Sequence, residues 1–151
     1  MNSRAAQNHL SHRSSMGSIA VDGLIAGGAA GVAMIAYLLP TAGEAPAELL
    51  SRFSGMGMQP SALLGAVGHL AVCAIYGMAF SILWRVVRGS DRRFIRVMAG
   101  IVYGLILFVT AEWIILPAIQ SPLLDIPAVH WGIAHAIYGI MLGYLYRSGR
   151  S

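Results

Sequence analysis

The chain of 151 residues has no lysine, one cysteine and few charged side chains. Charged residues make up 11% of the sequence, whereas a soluble globular domain carries about a quarter. Together with a hydrophobic content of 57%, this scarcity argues against an ordinary soluble domain and indicates a membrane protein. The single Cys73 excludes an intrachain disulfide, so the redox compartment cannot be read from it.

The sequence also lacks the short motifs that mark common catalytic sites. It has no HExxH or CxxC motif, no glycine-rich phosphate loop, and no arrangement of Ser, His and Asp that suggests a hydrolase. An enzyme acting alone is therefore not expected. The net charge of +4 comes from arginines that flank apolar segments, so no nucleic-acid partner is expected either.

Four apolar segments are present, at residues 19–39, 61–84, 97–116 and 126–146. About 20 apolar residues suffice to cross a bilayer as a helix, and a helix satisfies its own backbone hydrogen bonds in hydrocarbon. The sequence predicts an all-α protein, a four-transmembrane-helix bundle. A single membrane domain would cover 19–146, between tails at 1–18 and 147–151.

The arginines predict how the bundle is oriented. Nine of the ten lie in the two terminal tails and in the loop between the second and third segments, and the opposite loops hold only Arg52. Positive charge concentrates on the cytoplasmic side of membrane proteins. The sequence therefore predicts a multi-pass protein with both termini in the cytoplasm.

The chain contains an internal repeat. Four residues of the first segment recur 77 positions later, and Ala74-Ile75-Tyr76-Gly77 recurs 62 positions later as Ala136-Ile137-Tyr138-Gly139. This pattern predicts a tandem duplication of a helical hairpin, with one repeat at 19–84 and the other at 97–146. The residues that recur at the first offset are Gly23, Gly27, Leu39 and Pro40, matched by Gly100, Gly104, Leu116 and Pro117.

Small residues at four-residue spacing let membrane helices approach closely. The sequence predicts such packing seams, which could extend to a partner subunit. The glycines assigned to them are Gly23, Gly27, Gly31, Gly100, Gly104, Gly139 and Gly143.

Four ionisable residues fall in the outer half of the predicted membrane domain: His69, Glu112, His130 and His135. Ionisable groups inside a bilayer are costly, which makes each a functional hypothesis. The four are candidate ligands for a divalent metal. His69 and His135, with Glu112 beside them, are candidates for binding a b-type haem, handling protons or hydrogen-bonding a quinone.

A structural alternative is that a histidine and a glutamate pair only to hold the helices together. His130 and His135 are five residues apart, so they project about 140° from each other and should not share one ion. Met56 and Met58 on the outer loop could bind copper, although such residues more often form an apolar turn.

The chain resembles a group of uncharacterised small bacterial four-helix integral membrane proteins. The resemblance rests on the glycine-rich first helix, on Gly68-His69 with Tyr76-Gly77, and on the last helix, in which His135, Tyr138-Gly139, Leu142-Gly143 and Tyr146 recur every three to four residues. It implies a four-span protein of the bacterial plasma (inner) membrane and supports His69 and His135 as recurring positions. It implies no activity.

The leading hypothesis is a non-catalytic subunit or scaffold of a larger membrane complex, in contact with lipids and with other membrane subunits or further copies of itself. The first alternative is an electron-transfer protein that binds a b-type haem, a quinone or a metal through His69 and His135. The second is a small oligomeric transporter or proton channel.

Overall fold

A computed structural model describes residues 16–54, 59–87 and 92–146. The chain is all-helical over these residues, with no strand among them, which confirms the all-α part of the predicted fold. Most of the predicted N-terminal tail, all of residues 147–151, and Met56 and Met58 lie outside the described residues.

Six α-helices follow one another in the described part of the chain: α1 (Met16–Thr41), α2 (Pro46–Ser51), α3 (Ala62–Val86), α4 (Arg93–Thr110), α5 (Leu116–Ala118) and α6 (Ala128–Leu145). A π-helical turn at Ala111–Ile115 joins α4 to α5, so the two run as one continuous helix. Short 3₁₀ turns follow α2 at Arg52–Ser54 and precede α6 at Pro122–Asp125.

Three helices of the described chain are long and apolar enough to cross a membrane. They are α1, α3 and the continuous α4–α5 helix Arg93–Ala118, with mean hydropathies of 1.8, 1.8 and 2.1. Helices α1 and α4–α5 begin and end a few residues beyond the predicted segments, and α3 begins one residue later and ends two residues later than predicted. The last helix, α6, is shorter at 18 residues and carries two polar histidines.

The long helices pack in the order α3, α1, α6, α4. Helix α1 lies between α3 and α6, and α4 lies against α6. In contrast, α3 and α4 do not pack closely along their length. They meet where the Tyr103 hydroxyl donates to the Tyr76 carbonyl at 2.9 Å and the Tyr103 ring lies 5.3 Å from that of Phe80.

Glycines lie where the helices cross. A Cβ added to Gly27 of α1 would stand 2.7 Å from the Cα of Gly77 of α3. One added to Gly104 of α4 would stand 3.2 Å from the Cα of Gly139 of α6. Only residues without a side chain permit such an approach of two backbones. The structure places all seven of the predicted packing glycines against a neighbouring helix: Gly23, Gly27 and Gly31 against α3, Gly100 and Gly104 against α6, and Gly139 and Gly143 against α4.

Large apolar side chains cover the outside of the helices as well as the inside. Ile25 is 67% exposed and Val102 is 58% exposed, whereas Leu38 and Leu142 are fully buried. Water-soluble proteins rarely expose continuous apolar surface of this extent. The described surface therefore suits a lipid environment.

Candidate functional site

A cavity of about 230 Å³ lies among α1, α3, the α4–α5 helix and α6. Most of its wall is apolar, as in most small-molecule sites. The apolar wall includes Met34, Val72, Leu107, Leu116 and Leu123. Seven polar or partly polar side chains also line it: His69, Cys73, Tyr76, Thr110, Trp131, His135 and Tyr138.

His69 reaches the cavity from α3 and is only 7% exposed. Its Nε2 lies 3.3 Å from the carbonyl oxygen of Gly31 on α1 and 3.4 Å from Cys73 Sγ. A carbonyl oxygen can only accept, so the tautomer that fits this contact carries the proton on Nε2 and donates it. In the neutral imidazole the other nitrogen, Nδ1, then keeps a lone pair.

His135 reaches the same cavity from α6 and is 8% exposed. Its Nδ1 lies 2.9 Å from the Trp131 carbonyl oxygen, one turn earlier on the same helix. Nδ1 therefore donates, and the distal Nε2 keeps a lone pair that points away from α6. The edge of the Trp131 indole lies against the imidazole, with ring centroids 4.8 Å apart, and holds its orientation.

Two further hydroxyls at the cavity also donate to backbone carbonyls. Tyr138 donates to the Cys73 carbonyl at 2.7 Å, which ties α6 to α3. Thr110 donates to the Ile106 carbonyl at 2.9 Å within its own helix. The indole Nε1 of Trp131 is buried and has no hydrogen-bond partner among the described residues.

The structure brings together only part of the predicted cluster. His69 and His135 share the cavity, but His130 and Glu112 do not line it. The Nδ1 atom of His130 lies 3.0 Å from the Tyr37 hydroxyl. Glu112 sits in the π-helical turn, where its Oε2 is buried without a hydrogen-bond partner in the described part of the chain.

The described residues do not show the predicted four-residue metal site or the predicted hydrogen bond between a histidine and Glu112. The described residues contain no group of three or more His, Cys, Asp or Glu side chains placed to hold a metal ion. Of the predicted metal ligands, His69 and His135 line the cavity together, whereas Glu112 and His130 do not line it. The His–Glu packing pair is also missing from the described hydrogen bonds, because both buried histidines use backbone carbonyls as partners.

The loop between α1 and α3 folds back over the cavity. Phe53 lies edge-on to the His69 ring, with centroids 4.8 Å apart, and 6.0 Å from the Trp131 ring. Gly65 of α3 makes this fold possible, because an added Cβ there would overlap the Leu50 carbonyl. One end of the cavity is therefore capped by an aromatic ring.

Arg52 anchors this cap to the loop between α5 and α6. Its guanidinium bonds Glu44 at 2.9 Å, and its Nη1 bonds both Asp125 and the Pro122 carbonyl at 3.0 Å. Partial burial is the largest single influence on the pKa of Arg52 and lowers it. The hydrogen bonds and charges of Glu44 and Asp125 outweigh burial, so the pKa of Arg52 is raised.

The side of the cavity is more open. Val72 of α3 is 49% exposed and Ile115 of the π-helical turn is 39% exposed, and both line it. Since α3 and α4 do not pack closely, the cavity opens between them on the side of the molecule.

Sequence reasoning identified the two histidines but missed Phe53, which lies against one of them. Trp131 and Tyr138 stand four residues before and three residues after His135, so helical spacing predicts that the three share one face, and all three line the cavity. Phe53 offered no such signal, because it comes from a loop. The cavity has the geometry of a small apolar binding site with a few polar atoms. No protein-family model, curated protein or solved structure matches this chain.

Proposed function

We propose that this protein is a non-catalytic, four-span membrane protein that binds a small lipophilic molecule between its helices. The observation that carries the proposal is that two buried histidines from different helices line one apolar cavity. Buried polar groups are costly unless they serve structure or ligand binding. Here each imidazole keeps one nitrogen that no residue of the described chain engages.

In this proposal α6 is the fourth span, and both termini lie in the cytoplasm of a bacterial cell. Its 18 residues cover about 27 Å, close to the thickness of the hydrocarbon core. It lies between α1 and α4, both apolar enough to cross the membrane. The arginine distribution supports the orientation.

The proposed duplication is supported by matched contacts in the two halves. Gly27 lies against the Cys73 carbonyl and Gly77, and Gly104 lies against the His135 carbonyl and Gly139. Each of these residues has its counterpart at the offset seen in the sequence, so Cys73 and His135 are equivalent positions. At this position of the cavity the second repeat would then have acquired His135, where the first repeat has Cys73.

The ligand reaches the cavity from the bilayer, because the opening between α3 and α4 lies between two helices that can span it. Sites for drug-sized ligands have volumes of about 300–1,000 Å³, and this cavity is about 230 Å³. That size favours a small ring, or the head of a longer molecule whose tail lies among the lipids. A haem macrocycle would require the helices to move apart.

Blocking the opening tests this proposal. In Val72→Trp the indole would fill the gap between α3 and α4. Val32→Trp is the matched control, because Val32 is 56% exposed on α1 and does not line the cavity. Both variants and the parent chain would be purified into lipid nanodiscs, and the lipophiles extracted from each would be quantified by mass spectrometry.

We expect at least one compound to be enriched about stoichiometrically with the parent chain and with Val32→Trp, and to be depleted at least fivefold with Val72→Trp. Equal recovery from all three proteins would mean that the compound binds elsewhere. Absence of any enriched compound, with the fold intact by circular dichroism, would contradict the proposed function.

One observation favours a second function, that of a subunit in a membrane complex. Only 17% of the most apolar stretch of Arg93–Ala118 is buried, against 39% for α1. A photo-crosslinker at Val102 would capture a protein neighbour in the native membrane if α4 faces a partner subunit. The same group at Ile25, which is 67% exposed on α1, should label lipid only.

A further inference from the structure

We infer that the His69–His135 cavity selects a ligand with a neutral hydroxyl head group, such as a lipophilic phenol or alcohol. The hydroxyl would donate its proton to an imidazole nitrogen of His69 or His135. The inference rests on the proposed ligand-binding function and adds the chemistry of the ligand to it.

Most polar side chains that line the cavity already donate their protons to the protein. His69 Nε2–H donates to the Gly31 carbonyl, and His135 Nδ1–H donates to the Trp131 carbonyl. Thr110 and Tyr138 donate their hydroxyl protons to other backbone carbonyls. These four side chains therefore present lone pairs to a ligand.

Two imidazole nitrogens and one hydroxyl remain for a ligand. His69 Nδ1 and His135 Nε2 are acceptors with no partner in the described part of the chain, because the other nitrogen of each ring bonds a backbone carbonyl. Tyr76 also lines the cavity, and its hydroxyl can both donate and accept. The Trp131 Nε1–H has no partner among the described residues either, but this atom is fully buried and therefore does not face the open cavity.

Head groups differ in whether they can donate a hydrogen bond to these imidazole nitrogens. A ketone, a quinone or an ether can only accept, so it would leave the imidazoles unpaired. A carboxylate or an ammonium would bring a charge into an apolar cavity, which is costly without an opposite charge. A hydroxyl both donates and accepts. The cavity should therefore prefer a quinol-type head to the corresponding quinone.

Three compounds of nearly equal size test the inference: 4-pentylphenol, its methyl ether 4-pentylanisole, and the ketone 4-pentylacetophenone. Radiolabelled compound would be equilibrated by dialysis with the full-length protein in nanodiscs, and empty nanodiscs would correct for partition into lipid. We expect the phenol to bind about tenfold more tightly than either of the others, which corresponds to about 1.4 kcal/mol.

Replacing one imidazole should remove this preference. In His135→Phe the advantage of the phenol over the methyl ether should fall below threefold, while the ether binds within twofold of its affinity for the parent chain. His130→Phe is the matched control, because His130 is on the same helix but bonds Tyr37 outside the cavity. It should keep the tenfold preference.

Each outcome decides one claim. Equal binding of the three compounds, or tighter binding of the ketone, would overturn the hydroxyl inference and leave the ligand-binding function in place. Absence of saturable binding by all three, together with no lipophile recovered from the native membrane, would overturn both. Loss of the preference in His130→Phe as well as in His135→Phe would place the recognition outside this cavity.

Discussion

Substitution of Gly27 by alanine should separate α1 from α3, and its neighbour Gly28 provides the control. A Cβ on Gly27 would stand 2.7 Å from Gly77 Cα, 3.0 Å from Gly77 N and still closer to the Cys73 carbonyl oxygen. A Cβ on Gly28 would meet no atom of the described chain within 4 Å. The two variants therefore differ in packing but share the same gain in helix propensity.

The expected size of the effect follows from these distances. Carbon atoms in contact prefer a separation of about 3.5–4.0 Å, so the helices must move apart by about 1 Å at this crossing. All three atoms belong to backbone, which cannot rotate away. Overpacking of this kind costs about 1–3 kcal/mol, while alanine in place of glycine favours the helix by up to about 1 kcal/mol. Gly27→Ala should be less stable than Gly28→Ala by about 1–3 kcal/mol.

The assay is unfolding by sodium dodecyl sulfate in mixed micelles, followed by circular dichroism, on the parent chain and both variants. Gly104→Ala should behave like Gly27→Ala, because its Cβ would stand 3.2 Å from both the N and the Cα of Gly139 and closer still to the His135 carbonyl. Equal stability of Gly27→Ala and Gly28→Ala would refute the reasoning. It would show that α1 and α3 do not approach through their glycines.

Three further changes have defined expectations in the same unfolding assay. Tyr138→Phe removes the 2.7 Å hydrogen bond to the Cys73 carbonyl and should lower the free energy of unfolding by about 0.5–1.5 kcal/mol. The control Tyr144→Phe, at a residue that is 50% exposed, should leave the free energy of unfolding unchanged. Arg52→Gln removes the ion pairs of Arg52 with Glu44 and Asp125 and should lower the free energy of unfolding by about 0.2–1 kcal/mol. The loss should be smaller in high salt than in low salt, and a loss that does not depend on salt would contradict the ion-pair explanation. Gln120→Gly should stabilise by about 1 kcal/mol because Gln120 has φ of 48°, in the left-handed region that favours glycine; unchanged stability would mean that the turn relaxes without strain.

The helices could be predicted because membrane insertion depends on local composition. Twenty or so apolar residues in a row must satisfy their backbone hydrogen bonds internally, and three such stretches are helices of spanning length. The close approach of Gly27 to Gly77 and of Gly104 to Gly139 could be anticipated for a similar reason. Glycine is the residue that permits backbone contact, and the repeat marked those positions in both halves.

The composition of the site could be predicted only in part. His69 and His135 stood out because ionisable residues are rare in apolar segments, and both line the cavity. Glu112 stood out for the same reason, yet the π-helical turn directs it elsewhere. Depth along a helix can be counted from the sequence, but the direction of a side chain depends on local helical geometry, and one inserted π turn changes it.

The sequence by itself determined the helical class, the apolar spans, the small residues at the crossings and the two histidines, because each follows from short-range chemistry. Only the tertiary structure decided the order α3, α1, α6, α4, and with it the gap between α3 and α4 in which the cavity opens. It also decided that Phe53 caps the histidines and that their N–H groups bond backbone carbonyls. These features depend on contacts between residues distant in the chain, which no local pattern encodes.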